Sequence, residues 1–252
     1  RGRLALQKRE LELKYKEGLY LDDFIRMANL SNIADWEYFS KGYFSIQDES
    51  TGVPVNLLGV NPGDRVLDLC AAPGGKTAYI AAKMENKGEI VALDKYESRI
   101  KILQKNLGRL KVENVKFIET DALEYESTEL FDKILLDAPC SGLGTLTKKP
   151  DLKWKRELLD LKKLTELQYK LLEKGGKLLK PGGYIVYSTC TIEPDENSEI
   201  VTKFLFENPG FVLESAKSII DDKLVTEEGF VQAFPNIHGI DGSFSAKIKR
   251  IY

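Results

Sequence analysis

From Arg65 onward, short β-branched or leucine-rich runs alternate with longer amphipathic stretches, the pattern of βαβ units feeding a parallel sheet. The runs predict strands at Arg65–Leu69, Glu89–Leu93, Val115–Ile118, Lys133–Leu136 and Gly183–Tyr187. Between them Ile100, Leu103, Leu107 and Leu110 recur at three- and four-residue steps, which predicts a helix over Glu97–Leu110 with one apolar stripe for the sheet. Leu161, Leu164, Leu167, Leu171 and Leu172 predict another over Arg156–Leu179. A further helix is expected after Glu196, then strands near Phe211–Glu214 and Phe244–Ile251. Before Lys41 the chain is charged and helical in character: Leu4, Leu6, Leu11 and Leu13 lead to Gly18, a helix stop, and a second short helix is expected over about Leu19–Asn29.

The length of 252 residues favours one large domain with an attachment over two equal halves. With 42% apolar and 30% charged residues, disordered and low-complexity classes are excluded. Lys and Arg number 37 against 39 Asp and Glu, so no overall cationic field draws a polyanion and any nucleic-acid site must be a local patch. Residues 1–16 are one such stretch, at a local balance of +4, which fits a solvated face as well as RNA contact. No apolar run reaches membrane-spanning length and no leader pattern opens the chain, so a cytoplasmic protein without a membrane partner is expected; a start at Arg1 reads as the trimmed end of a longer one. Cys70, Cys140 and Cys190 are spaced 70 and 50 residues apart, which suits neither a disulfide framework nor a zinc site. With His238 the one histidine, a Ser-His-Asp triad and a multi-histidine metal centre are excluded, and no metal is expected.

What points to chemistry is position. Each unusual polar or glycine-bearing segment begins where a predicted strand stops: DLCAAPGGKT at 68–77, Asp94, Asp121, DAPCSG at 137–142 and STCT at 188–191. In an open α/β sheet ligands bind beyond the carboxyl ends of the strands, so segments remote in sequence converge on one crevice. Pro73, Gly74 and Gly75 form a tight turn that lets backbone amides approach a ligand at a helix start. A phosphate-binding loop needs glycine where Cys70 stands, and no GxGxxG occurs. Asp94, 19 residues past Gly75, is placed to accept from both hydroxyls of a ribose, and Asp121 to contact an adenine amine; an adenosine-containing cofactor without a pyrophosphate fits. Cys140 and Cys190, each followed by a small hydroxyl residue, are candidate nucleophiles if a cation such as Lys76, or the helix expected after Cys190, lowers a thiol pKa. Between Thr145 and Lys163 lies a second local balance of +4, in which Lys148, Lys149, Lys153 and Arg156 flank Trp154, a composition suited to phosphate contact with stacking.

FSIQDESTG at 44–52, DLCAAPGGKT, Asp94, Asp121, DAPCSGLGTLTKKPDLKW at 137–154 and YSTCTIEPDEN at 187–197 together resemble the Sun/Fmu (RsmB-type) family of S-adenosylmethionine-dependent RNA cytosine carbon-5 methyltransferases, most closely its bacterial branch acting on small-subunit ribosomal RNA. The likeness covers roughly residues 40–250. It implies a class I methyltransferase fold, α/β and Rossmann-like, with a seven-stranded mostly parallel sheet between helices and a short helical N-terminal extension. It implies a catalytic domain over residues 41–252, with residues 1–40 a remnant of an RNA-binding region. The cofactor S-adenosylmethionine is expected against Cys70, Ala71, Ala72, Pro73, Gly74, Gly75, Lys76, Asp94, Asp121 and Asp137. By the same resemblance Cys190 is the nucleophile, Cys140 assists product release and Asp137 serves catalysis. The expected partner is structured RNA, 16S ribosomal RNA first, bound by a monomer.

Thiolate addition at carbon 6 turns cytosine into an enamine able to attack an electrophilic methyl group, which is why this chemistry needs a cysteine. Departures are Ser243, where the family usually has an aromatic residue, and the short N-terminal region. Three other readings are a transfer-RNA methyltransferase, a catalytically idle RNA-binding assembly factor on the same fold, and a DNA methyltransferase with Cys140 as nucleophile.

Overall fold

The computed structural model describes residues 15–27, 32–154 and 157–252. Strands β1 (Tyr15–Glu17) and β2 (Ile25–Met27) pair as an antiparallel hairpin. Short helix α1 (Glu37–Ser40) and helix α2 (Val53–Leu58) lead into the main domain. There follow β3 (Arg65–Asp68), α3 (Gly75–Lys83), β4 (Glu89–Asp94), α4 (Glu97–Arg109), β5 (Val115–Glu119) and β6 (Phe131–Asp137). The rest comprises α5 (Leu158–Leu178), β7 (Leu179–Thr189), α6 (Ser198–Glu207), β8 (Phe211–Glu214), β9 (Val231–Ala233), α7 (Pro235–His238) and β10 (Ser243–Arg250).

The main sheet runs β5-β4-β3-β6-β7-β10-β8, with β9 paired to β10 beside that path. Strands β3 to β7 are parallel to their neighbours, while β10 is antiparallel to β7, β8 and β9. The expected seven strands are present, with three-residue β9 as an addition. Strand period sorts the core onto two faces. Leu67, Val91, Ile134 and Ile185 pack with α5 and α6. Their neighbours Val66, Ile90, Leu135 and Val186 turn the other way, towards α2 and α3. Helix α4 buries Ile100, Leu103 and Leu107 against Ala92 and the loop after β3.

In α5, Glu157 and Asp160 close a capping box. Its Gly175 and Gly176 weaken an isolated helix but permit close packing: a Cβ at Gly175 would lie 2.6 Å from Ile185, and one at Gly176 3.0 Å from Phe211. Among the described residues no helix is long and apolar enough to cross a membrane.

One expectation needs correction. The helix anticipated over Leu19–Asn29 is, as far as it is described, a turn and strand β2. The Glu49 carboxylate accepts from the amides of Leu19, Tyr20 and Leu21 at 2.8, 2.6 and 2.7 Å, fixing three successive N–H groups outside a helix. The helical pattern of Leu4 to Leu13 lies outside the described residues.

Candidate active site

Five loops meet beyond the carboxyl ends of the parallel strands. The loop after β3 ends in a tight turn in which Gly74 has φ +104°, and a Cβ there would strike Leu103 and Leu107 at 2.6 Å. Helix α4 pins this turn: Arg99 Nη2 donates to the Ala72 carbonyl at 2.7 Å and Asn106 Nδ2 to that of Pro73 at 2.8 Å. From the N-terminal side Gln47 Nε2 donates to the Gly75 carbonyl. A cavity of about 350 Å³ lies between these parts, lined by residues 70–76 with Asp68 and Asp137, by Phe39, Ser45, Ile46, Gln47 and Thr51, and by Asn106, Arg109 and Leu110.

Asp94 and Asp121 end or follow the next two strands and do not line that cavity. Asp94 accepts from the Tyr96 amide, and its Oδ2, 3.3 Å from Arg99, is buried without a hydrogen-bond donor among the described residues. Asp121 pairs with Lys95 at 2.8 Å. Asp68 Oδ1 is likewise buried without a donor. Two buried carboxylate oxygens thus stand without a hydrogen-bond donor at the ends of β3 and β4, a set suited to the hydroxyl and ammonium donors of a nucleoside-bearing amino acid.

The reactive groups stand at the ends of β6 and β7. Cys140 Sγ and Cys190 Sγ are 3.1 Å apart, and the Cys190 amide donates to Cys140 Sγ at 3.3 Å. Cys190 is exposed and Cys140 partly so. Beside them Lys76 Nζ holds Asp137 Oδ2 at 2.6 Å, and the Ser188 hydroxyl donates to Asp137 Oδ1 at 3.0 Å. Two opposite shifts distinguish the cysteines. The hydrogen bond from Cys140 lowers the Cys190 thiol pKa; burial and the Asp137 charge work against this, while Lys76 and Lys149 assist it. The same contact, then burial, pushes Cys140 well up. Lys76 is raised: burial acts to lower it, and the Asp137 carboxylate prevails. Burial pushes the Cys70 thiol up, leaving it inert.

The helix expected to polarise Cys190 begins only at Ser198, so nearby lysines take the place of a dipole. Of the expected RNA contacts, Lys148 forms ion pairs with Asp48 and Asp241 and ties the loop after β6 to residues 44–52 and the segment before β10. Lys149 and Lys153 form no ion pair among the described residues, and Trp154 is 82% exposed under Lys153. Arg156 lies outside the described residues. At the Ser243 corner, Phe244 supplies the aromatic packing against Tyr187 and Phe230. His238 braces a turn through the Phe234 amide and the Lys223 carbonyl. Among the described residues no group of three or more His, Cys, Asp or Glu could hold a metal. Ser188, Gln47 and Asp68 escaped the reading by residue type, although all three sit inside or beside the quoted motifs.

The family model for 16S rRNA methyltransferase RsmB/F matches residues 55–249. A probable ribosomal RNA small subunit methyltransferase B of Bacillus subtilis (strain 168) is 35% identical over 244 residues, spanning 94% of this chain and 54% of that protein. The structure of a methyltransferase homolog from Pyrococcus horikoshii superimposes with a TM-score of 0.85 at 34% identity, covering 98% of this chain and 82% of the other. NSun6 from Pyrococcus horikoshii, solved with SFG, gives 0.80 at 35% identity, covering 88% and 57%. The chain spans about half the length of the curated relatives it matches.

Proposed function

The chain belongs to the 16S rRNA methyltransferase RsmB/F family, and on that premise we propose that it transfers a methyl group from S-adenosylmethionine to carbon 5 of a cytosine in RNA, 16S ribosomal RNA first, through a transient bond between Cys190 and the base. The carrying observation is the 3.1 Å sulfur pair beside the Lys76–Asp137 ion pair, at the mouth of the glycine turn.

The cofactor fits the residues at hand. The backbone of residues 70–76, the oxygens of Asp68 and Asp94 that lack a hydrogen-bond donor, and Asp121 and Asp137 would hold it. SFG, bound by the archaeal relative, is an analogue of it. When bound, S-adenosylmethionine supplies an electrophilic methyl group on a sulfonium.

The chain's own residues do the rest. Cys190, its thiol pKa lowered by the contact with Cys140 and by Lys76 and Lys149, bonds as thiolate to carbon 6 of the pyrimidine, and the ring's double bond yields its electrons to carbon 5. Asp137, aimed by Lys76 and Ser188, holds the base edge where charge builds. Once carbon 5 carries the new methyl group it must lose its proton, so that the carbon–sulfur bond breaks by elimination and Cys190 leaves; Cys140 assists this release. The exposed Cys190 thiol is reachable by a base that has left its stack. Lys149, Lys153 and Trp154 supply phosphate and stacking contacts next to it. We read the protein as a cytoplasmic monomer, its residues 1–40 an RNA-binding extension.

Purified Cys190→Ala given S-adenosylmethionine and 16S rRNA is expected to form no 5-methylcytosine while still binding the cofactor. Methylation at the parent rate overturns the reading. Cys140→Ala is expected to accumulate a covalent protein–RNA species, visible as a denaturation-resistant gel shift; its absence removes the release role.

A further inference from the structure

Glu196 is wholly buried, at 0% exposure, and among the described residues no cation pairs with it. A buried carboxylate in that position must be satisfied by hydrogen bonds. Its Oε1 accepts from the Ser141 amide at 2.8 Å and from Gln168 Nε2 at 2.9 Å, and its Oε2 from the Ser141 hydroxyl at 2.5 Å. The partners lie on three elements. Ser141 directly follows Cys140 after β6, and Gln168 sits in α5, where its Nε2 also meets the Pro139 carbonyl at 2.9 Å. The Ser141 hydroxyl further meets that of Thr191, the residue after Cys190, at 2.8 Å. Tyr187, near the end of β7, donates its phenol to the Glu196 carbonyl at 2.5 Å. Every bond falls within one residue of a cysteine or on the frame that holds its loop, yet the carboxylate is sealed from the crevice.

We propose that Glu196 is a positioning residue for the thiol pair: it locks the Cys140 loop to the Cys190 loop through Ser141 and Thr191, and so sets the 3.1 Å contact between the two sulfurs. This rests on the catalytic reading of the two cysteines given above. The groups facing Cys190 are Cys140 and Asp137 from the β6 end, Lys76 from α3, and Lys149. Among the described residues Asp137, Lys76 and Lys149 form no hydrogen bond or ion pair with Glu196, so loosening the brace changes their effect by moving the two loops apart.

The test measures the rate at which iodoacetamide alkylates Cys190 as a function of pH, resolved from Cys140 and Cys70 by peptide mass spectrometry, on the whole chain without RNA or cofactor. Glu196→Gln keeps one oxygen for the Ser141 amide and Gln168 and turns a donor towards the Ser141 hydroxyl, which must then accept and give up its own bond to the carboxylate. Its alkylation midpoint is expected to move up by roughly one pH unit, about a tenfold slowing below the midpoint. Ser141→Ala removes the hydroxyl and keeps the amide bond, and a smaller move in the same direction is expected. Midpoints equal to the parent's in the folded variants overturn the proposal, even if thermal stability has dropped; should Glu196→Gln not fold, Ser141→Ala decides alone. A parallel methylation assay separates the two ideas. A shifted midpoint with a parent that methylates no RNA keeps the brace and fails the catalytic reading, while an active parent with unshifted variants fails the brace alone.

Discussion

Asp68 closes β3 with its carboxyl enclosed by the core, and its surroundings oppose its ionisation. Burial, and after it the charge of Asp137, push its pKa from 3.8 up to about 7, against the hydrogen bond that Thr77 donates at 2.7 Å and the charge of Lys76. The sign of the consequence follows from linkage. A carboxyl whose folded-state pKa is raised favours the fold while it is protonated; that contribution is complete below the unfolded value and disappears as pH climbs through the folded one. Asp68→Asn keeps the oxygen that Thr77 bonds and removes the titration. The parent's melting temperature, measured without cofactor, is therefore expected to decline relative to the Asn variant's between about pH 4 and pH 8. Parallel melting curves over that range would show that Asp68 does not titrate in the folded protein. Position is what makes the residue telling: the charges of Asp137 and Lys76 that perturb the buried acid are those that flank the thiols.

Elements differ in how far their own residues determine them. Strand β4 is an almost unbroken buried run, and α4 buries one stripe at helical spacing, so both were legible within a residue or two of their ends. The strand-end placement of Cys140 and Cys190 was legible for the same reason. The hairpin of β1 and β2 was not, because the group that shapes it, Glu49, lies about 30 residues downstream in sequence. The same holds for Lys148, claimed by Asp48 and Asp241 about 100 residues to either side, and for the Ser141–Glu196 contact, 55 residues apart. Residue types and local spacing carry no record of such pairings. Glu49→Ala leaves the amides of Leu19, Tyr20 and Leu21 without their acceptor, and freeing a buried donor such as that of Leu21 costs about 1–3 kcal/mol. Hydrogen exchange at residues 15–27 is expected to quicken by about tenfold or more, while exchange in β4 stays as it was. Unchanged protection in the hairpin would mean that Glu49 does not hold it.

At the scale of the molecule, a sheet of parallel strands brings five loops to one rim, yet the net charge of −2 gives that rim no long-range pull on RNA. Attraction must come from the few cations nearest the thiols. Lys76 is engaged by Asp137 and Lys148 by two carboxylates, which leaves Lys149 and Lys153, with the 82% exposed Trp154 beside Lys153, as unpaired cations of that segment among the described residues. Binding of a cytosine-containing single-stranded RNA should then depend on salt only modestly. Each lysine that neutralises a phosphate contributes about 0.7 to the slope of log affinity against log salt for a single strand. Lys149→Gln and Lys153→Gln are each expected to flatten the slope by about that amount. Trp154→Ala, which removes a stacking surface but no charge, is expected to weaken binding by about 1–3 kcal/mol with the slope unaltered. Fluorescence titrations between low and moderate salt separate the two kinds of contact. A steep slope that none of the three substitutions alters would place the RNA on another face of the molecule.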